Sequence, residues 1–139
     1  MRRRGTALVE FALVCPLLLL LLAGVLNYGQ ALRTATSVAS AARSGAQFGS
    51  RSFAAAADTA GIRNAAINSS PDIRNLTVTS QRTCQCSNGG AVSCSGTCPG
   101  ANLEVYVQVT AQAVSSSIFS YSGLPFTGST SSQATLRIQ

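Results

Sequence analysis

The sequence contains no histidine, no lysine and no tryptophan, and it has only four acidic residues among 139. Histidine is the most frequent acid–base catalyst near neutral pH and a common metal ligand, so its absence removes the usual routes to hydrolytic and metal chemistry. The sequence also shows no paired carboxylates and no glycine-rich phosphate loop. We therefore predict a protein that is not an enzyme and that uses no cofactor, no metal and no small-molecule substrate.

The charge of the chain comes from arginine. All ten basic residues are arginines, and the formal net charge is +6. Arg2, Arg3 and Arg4 stand directly before an apolar run, where basic residues hold the end of a membrane helix on the cytoplasmic side. The remaining arginines are scattered along the chain, so nucleic acid is not an expected partner.

The apolar run extends from Thr6 to Leu26 and contains one charged residue, Glu10. About 20 apolar residues suffice to cross a bilayer. A secretory signal peptide has a shorter apolar core and a small-residue cleavage site, and no such site follows here. A plain membrane anchor accounts for the length but leaves Glu10 unexplained, because a carboxylate inside hydrocarbon is costly and usually functional.

The N terminus combines a short basic segment, RRRG, with the string TALVEF, which makes Glu10 the fifth residue after Gly5. This pattern resembles the start of type IV pilin-like proteins, and the longer string as far as Ser50 resembles the TadE-like family of tight-adherence pilus proteins. That family shows a glycine before V-E-F-A, a proline within a leucine run, a polar-aromatic step and an A-A-R-x-G-A stretch. The cysteine-rich middle and the strand-like tail also look similar to family members, so the resemblance covers most of the chain. The matching residues are Gly5, Val9, Glu10, Phe11, Ala12, Pro16, Tyr28, Gly29, Ala41, Ala42, Arg43, Gly45 and Ala46.

The resemblance implies that a prepilin peptidase cleaves between Gly5 and Thr6 and that Glu10 helps to dock the subunit in a pilus. On a helix, the Glu10 carboxylate comes close to the new α-amine of Thr6 or to the amine of a neighbouring subunit. The alternative is a glutamate near the cytoplasmic surface that reaches toward the headgroups or Arg4. The implied partners are the peptidase, other pilins or pseudopilins, the pilus assembly machinery and membrane lipid. The implied location is the bacterial inner membrane, with the N terminus in the cytoplasm and the C-terminal domain outside or in an extracellular pilus.

The helix is predicted to continue beyond the membrane, because no proline interrupts the chain from Asn27 to Ser52. Within the span, Pro16 removes one backbone hydrogen bond and predicts a kink. Small residues recur at helical spacing and allow close approach of another helix or a sheet. Their partner is either the chain's own domain or a neighbouring subunit. These residues are Ala35, Ala39, Ala42, Gly45, Ala46 and Gly49.

A second helix is predicted from Ala54 to Asn68, where NSSPD ends it. Alternating apolar and polar residues predict strands at 75–84, at 102–113 and in the tail 132–139, with an aromatic-containing loop at 118–131. On the strand 102–113, one face carries Leu103, Val105, Val107, Val109 and Ala111.

The predicted fold is α+β and pilin-like. A long N-terminal transmembrane and stalk helix and a short second helix precede a small antiparallel β-sheet with a disulfide-stapled hairpin. The predicted division is a leader at 1–5, a transmembrane helix at 6–26, a helical stalk at 27–53 and an extracytoplasmic α+β domain at 54–139, with the cysteine-rich hairpin at 84–98.

Four of the five cysteines form the pattern C-x-C-x7-C-x3-C around an Asn-Gly-Gly turn signal. Two disulfides are favoured over a zinc site, because structural zinc sites usually show C-x2-C spacings and the predicted compartment is oxidising. Three connectivities are open, and a hairpin with its turn at 88–90 favours the nested pairs Cys84–Cys98 and Cys86–Cys94. The fifth, Cys15, is predicted to be an apolar residue of the membrane helix.

The predicted function is that of a minor pilin or pseudopilin of a bacterial tight-adherence (Flp, type IVc) pilus, active in pilus assembly or priming and in surface adhesion. The alternative is an uncleaved single-span membrane protein whose cysteine-stapled domain binds a partner or ligand outside the cell.

Overall fold

A computed structural model describes residues 3–114 and 128–138, with side chains of the first helix described from Ala7 onward. Helices precede a four-stranded antiparallel sheet, so the predicted α+β class is confirmed. The strands lie in the order β2-β1-β3-β4. The predicted loop at 118–131 falls mostly outside the described residues. The elements are α1 (Arg3–Gly49), α2 (Phe53–Ala57), α3 (Thr59–Asn68), β1 (Thr77–Cys86), β2 (Ala91–Val92), β3 (Leu103–Val114) and β4 (Ser129–Arg137).

Helix α1 contains 47 residues, which corresponds to about 70 Å at 1.5 Å per residue. Its N-terminal half exposes its apolar side chains, whereas its C-terminal half buries Val38, Ala41, Ala42 and Ala46 completely. The helix runs without interruption through Pro16, which cannot donate a hydrogen bond to the carbonyl of Ala12. The long helix was therefore predicted correctly, and only its second half packs on the domain.

The predicted second helix is divided in two, which corrects the single helix expected from Ala54 to Asn68. Asp58 ends α2 and caps α3, and its Oδ1 accepts a hydrogen bond of 2.8 Å from the backbone N–H of Gly61. A short carboxylate side chain competes for backbone donors in this way, so aspartate favours a cap over a helix interior.

The sheet buries one face against α1 and α3. Strand β3 pairs with β1 from Thr77↔Gln112 to Cys86↔Leu103, and with β4 on its other side. The alternating face predicted for this strand is confirmed from Val105 to Ala111 and extends to Ala113, while Leu103 at its start is 39% exposed. Strand β1 begins two residues later than predicted, and β4 begins three residues earlier.

Two contacts connect the layers of the domain. Ile62 of α3 is completely buried in the same cluster as Ala46 of α1 and Val107 and Val109 of β3. Ser70, a buried polar residue, donates a hydrogen bond of 2.8 Å to the carbonyl oxygen of Ser37 in α1. These contacts fix the C-terminal half of α1 on the sheet and leave the N-terminal half free of the domain.

Candidate functional site

The predicted processing junction lies in the first turns of α1. Gly5 and Thr6 are helical, and Glu10 follows four residues after Thr6, about 6 Å farther along the helix axis. Glu10 is exposed, and so are Leu8, Val9 and Phe11 beside it. Among the side chains that the structure describes, Glu10 has no hydrogen-bond or ion-pair partner. The carboxylate therefore stands on an apolar surface of the described part of the helix.

The segment after Glu10 forms an exposed apolar cylinder. The leucines from Leu17 to Leu22 are each more than half exposed, and Val25 is 68% exposed. Within the described residues, α1 is the one helix that is long and apolar enough to cross a membrane. Cys15, which is half-buried, is the free cysteine of this helix, next to Pro16.

The small-residue stripe of α1 lies against the chain's own sheet and α3. Ala42, Gly45, Ala46 and Gly49 are buried, and Ala35 and Ala39 are half-buried. A Cβ atom added to Gly45 would stand 3.1 Å from Cγ1 of Val109. Of the two partners that the sequence left open, the described structure therefore provides the chain's own domain.

The cysteines form two disulfides, but the favoured pairing was wrong. Cys84 bonds to Cys94 and Cys86 bonds to Cys98, so the bridges cross instead of nesting. The nested pairing Cys84–Cys98 and Cys86–Cys94 assumed one continuous hairpin around residues 88–90. Metal clusters of three or more histidine, cysteine or acidic residues are absent from the described part of the chain.

The register explains the observed pairing. Val92 of β2 lies opposite Cys84. The hairpin between β1 and β2 is therefore shorter than one that would place Cys98 opposite Cys84, as the nested bridges require. Cys94 lies two residues beyond Val92, in a turn that begins at Ser93, and its Cα atom is 5.1 Å from that of Cys84. Gly96 N–H donates to the carbonyl of Ser93 at 2.7 Å and closes this turn, after which the chain returns Cys98 toward Cys86.

Two charged pairs were missed by the sequence analysis. Arg33 of α1 forms an ion pair of 2.6 Å with Asp72 beside a groove of about 720 Å³ between α1 and residues 71–75. On the outer face of the sheet, Glu104 accepts hydrogen bonds of 2.9 Å from both Tyr106 and Arg137. The alternation of β3 already placed Glu104 and Tyr106 on one face, but only the β3–β4 register brings in Arg137.

The comparisons with known proteins concern the N-terminal part of the chain. The family model described as TadE-like protein matches residues 5–47. No curated protein and no solved structure matches the chain. The resemblance of the cysteine-rich and strand segments to this family lies beyond the match and stays a prediction. The match begins at Gly5 of the predicted junction and includes Glu10, the apolar cylinder and most of the stripe. Over residues 5–47, the chain is therefore similar to TadE-like proteins, a family associated with pili.

Proposed function

We propose that the chain is a minor pilin or pseudopilin of a bacterial tight-adherence (Flp, type IVc) pilus and that a prepilin peptidase cleaves it between Gly5 and Thr6. The observation that carries the proposal is the position of Glu10. It is the fifth residue after Gly5, it has no partner among the described side chains, and it lies inside the segment that matches TadE-like proteins.

Glu10 acts in this proposal as a docking group. Cleavage creates a positive α-amine at Thr6, and the amine of an adjacent subunit pairs with the Glu10 carboxylate inside the membrane. A paired charge is far less costly in hydrocarbon than a lone one. The free energy of docking is therefore most favourable when a subunit stands at the height at which the amine and the carboxylate meet. The exposed leucines around Glu10 supply the apolar contacts that surround this pair.

In this proposal, each segment of the chain has a place relative to the membrane. Residues 6–26 span the inner membrane, residues 27–53 form the stalk, and residues 54–139 form a domain outside the cytoplasm that takes part in assembly, priming or adhesion. Two observations support this arrangement: the arginines before the apolar run favour a cytoplasmic N terminus, and two disulfides favour an oxidising compartment for the domain.

The proposed role needs partners and no catalysis. The partners are the prepilin peptidase, other pilins or pseudopilins, the assembly machinery and membrane lipid. What the described residues offer is packing and docking: an apolar helix, a carboxylate on its surface and a crosslinked domain.

N-terminal sequencing and intact-mass measurement of the protein from its native cell test the proposal. The expected mature chain begins at Thr6 and is found both in the inner membrane and in sheared pili or their assembly complexes. A native chain that retains Met1, or that begins near Ala31, would overturn the proposal. Retention of Met1 would support the uncleaved single-span protein as the alternative.

A further inference from the structure

The sheet has two edges that no strand of the described residues covers. Strand β4 lies at one end of the order β2-β1-β3-β4 and pairs only with β3. At the other end, β2 covers β1 only at Cys84 and Gln85, so residues 77–83 form a second open edge. Neither edge contains proline, and each contains one charged residue, Arg82 near the end of the open edge of β1 and Arg137 at the end of β4. Stretches 77–81 and 129–135 therefore lack the usual devices that block strand addition.

The backbone groups that β4 presents at its edge follow from its hydrogen bonds to β3. Ile138 N–H donates to the carbonyl of Val105 at 2.8 Å, just after the last strand residue. In an antiparallel ladder every second residue bonds to the same neighbour, so the even-numbered residues of β4 bond to β3. The outward N–H and C=O groups therefore belong to Ser131, Gln133 and Thr135.

The edge of β1 has the opposite parity, because its outward backbone groups belong to even-numbered residues, whereas those of β4 belong to odd-numbered ones. Ser87 N–H donates to the carbonyl of Asn102 at 2.9 Å, so odd-numbered residues bond toward β3. Cys86 N–H donates in the other direction, to the carbonyl of Gly90 at 2.8 Å. The outward groups of the open edge therefore belong to Val78, Ser80 and Arg82.

This parity selects parallel pairing between the two edges. Strands β1 and β4 are both antiparallel to β3 and hence parallel to each other. In a parallel pair, a residue that bonds across the edge lies opposite a residue that does not, and their side chains share one face. Gln133 of one copy would thus lie opposite Thr77, Thr79 or Gln81 of the next. All of these belong to the outer face, so the faces of the two sheets match.

We propose that β4 of one copy adds in parallel to the open edge of β1 of a second copy, which joins the sheets of successive subunits. The occupant is a second copy because one chain carries both edges with matching parity. Strand β2, which a disulfide holds to β1, covers β1 from Cys84 onward. It therefore limits the residues of β1 with which β4 of another copy can pair. The contact is heterologous, and repeated addition would produce a row or a helical filament.

The membrane helix favours this arrangement over a two-fold dimer. Antiparallel pairing of β4 with β4 requires a two-fold axis perpendicular to the sheet, which reverses the direction of α1 on the sheet face. Copies inserted in one membrane in the same orientation cannot adopt it. Parallel addition keeps every α1 on the same face and in the same direction. The inference goes beyond the proposed function, because it requires a shared membrane orientation but neither cleavage nor a pilus.

Cysteine crosslinking in native membranes tests the proposal. Two differently tagged full-length copies, both carrying Cys15→Ser, are co-expressed, one with Gln133→Cys and the other with Thr77→Cys, Thr79→Cys or Gln81→Cys. A short thiol crosslinker should join the two tags for at least one of these pairs. Ser80→Cys, whose side chain lies on the opposite face, is the matched control and should give little product. The native disulfides are verified by mass in every variant.

A proline at the edge tests whether backbone hydrogen bonds hold the copies together. Ser131→Pro removes one outward N–H without touching the bonds to β3, a position at which edge strands tolerate proline. Added to the Gln133→Cys copy, it should lower the crosslinked product about tenfold, because one hydrogen bond is lost and its acceptor is left unpaired. Ser131→Ala, which retains the N–H, should leave the product unchanged.

Three results would overturn the proposal. The first is no product with any of the outer-face positions. The second is equal product with Ser80→Cys, which would indicate proximity without strand pairing. The third is product only between two Gln133→Cys copies, which would indicate a two-fold dimer. None of these results depends on cleavage after Gly5, so the test is separate from that of the proposed function.

Discussion

Gly49 of α1 lies directly on Val107 of β3, where a Cβ atom added to the glycine would stand 2.9 Å from Cγ1 of the valine. Such a distance is too short for any real contact between carbon atoms, so the helix can approach the sheet this closely only because position 49 lacks a side chain. Gly45 repeats the relationship one turn earlier against Val109, at 3.1 Å. The two glycines set the distance between the helix and the sheet.

Gly49→Ala should therefore destabilise the domain even though alanine favours a helix. Overpacking of a tight site lowers the free energy of unfolding by about 1–3 kcal/mol, which outweighs the helix propensity that alanine gains. The matched control is Gly29→Ala, since nothing lies within 4 Å of a Cβ at that position of the same helix. Thermal unfolding of the full chain in detergent should show a lower midpoint for Gly49→Ala only. Equal midpoints for both variants would contradict the close contact.

This contact shows what the sequence alone could predict. The spacing of Gly45 and Gly49 predicts a close neighbour, because small residues one turn apart form a groove on a helix. It does not identify the neighbour, because a sheet of the same chain and a helix of another subunit fit the same groove. The register of β3 places Val107 and Val109 on the inner face, and this identifies the chain's own sheet as the neighbour of the two glycines.

Asp58→Ala should destabilise the junction between the two short helices. The substitution removes the side-chain acceptor for the Gly61 N–H, and the loss of such a cap lowers the free energy of unfolding by about 1 kcal/mol. Asp58→Asn retains an acceptor oxygen and should have a much smaller effect. Amide hydrogen exchange at residues 59–62 checks this prediction, because exchange there should accelerate in the alanine variant first. Equal acceleration in both variants would indicate that the charge matters more than the cap.

Gly5→Val should block removal of the leader. The predicted cleavage site requires a glycine before the cut, so a branched side chain should prevent processing by the prepilin peptidase, and Gly5→Ala should slow it. Co-expression with the peptidase and intact-mass measurement should show a precursor five residues longer. Gly24→Ala is the control, since it alters a glycine in open surroundings of the same helix and should be processed normally. Normal processing of Gly5→Val would show that the resemblance at the junction is misleading.

Glu10→Ala should spare membrane insertion but reduce assembly. Removal of a charge from an apolar span makes insertion easier, whereas the docking partner of the neighbouring amine is lost. Glu10→Gln has nearly the same shape without the charge and should fail to the same degree, while Glu10→Asp should retain part of the function. Membrane fractionation reports insertion, and the yield of sheared pili reports assembly. Normal pilus yield from both neutral variants would show that the carboxylate is incidental.

The disulfide pairing shows where sequence reasoning stops. The presence of two bridges followed from the cysteine count and the predicted compartment. Their pairing did not, because it depends on a tight register between Cys84 and Val92 and on the turn at Gly96 that brings the chain back. Such a turn contributes no periodic pattern, and Cys86 would lie opposite Cys94, as the nested bridges require, only if the register between β1 and β2 were shifted by four residues.

The crossed bridges predict a specific outcome for single cysteine substitutions. Native protein should be four hydrogens lighter than its reduced form, with Cys15 as the free thiol. Cys84→Ser should release Cys94 for alkylation and leave the bridge between Cys86 and Cys98 intact, and peptide mapping under non-reducing conditions checks which thiol is released. Release of Cys98 instead would restore the nested pairing.

The two bridges should contribute comparable stability, because they close loops of similar length, with sequence separations of 10 and 12. In the loop-entropy model each is worth about 3 kcal/mol. Reduction of both should raise the protease sensitivity of residues 84–98 first, because β2 has only two residues and little else holds it to β1. Cleavage there should leave α1 in the membrane. Limited proteolysis of membranes with and without reductant measures the difference, and equal resistance in both conditions would show that the hairpin is stable without its crosslinks.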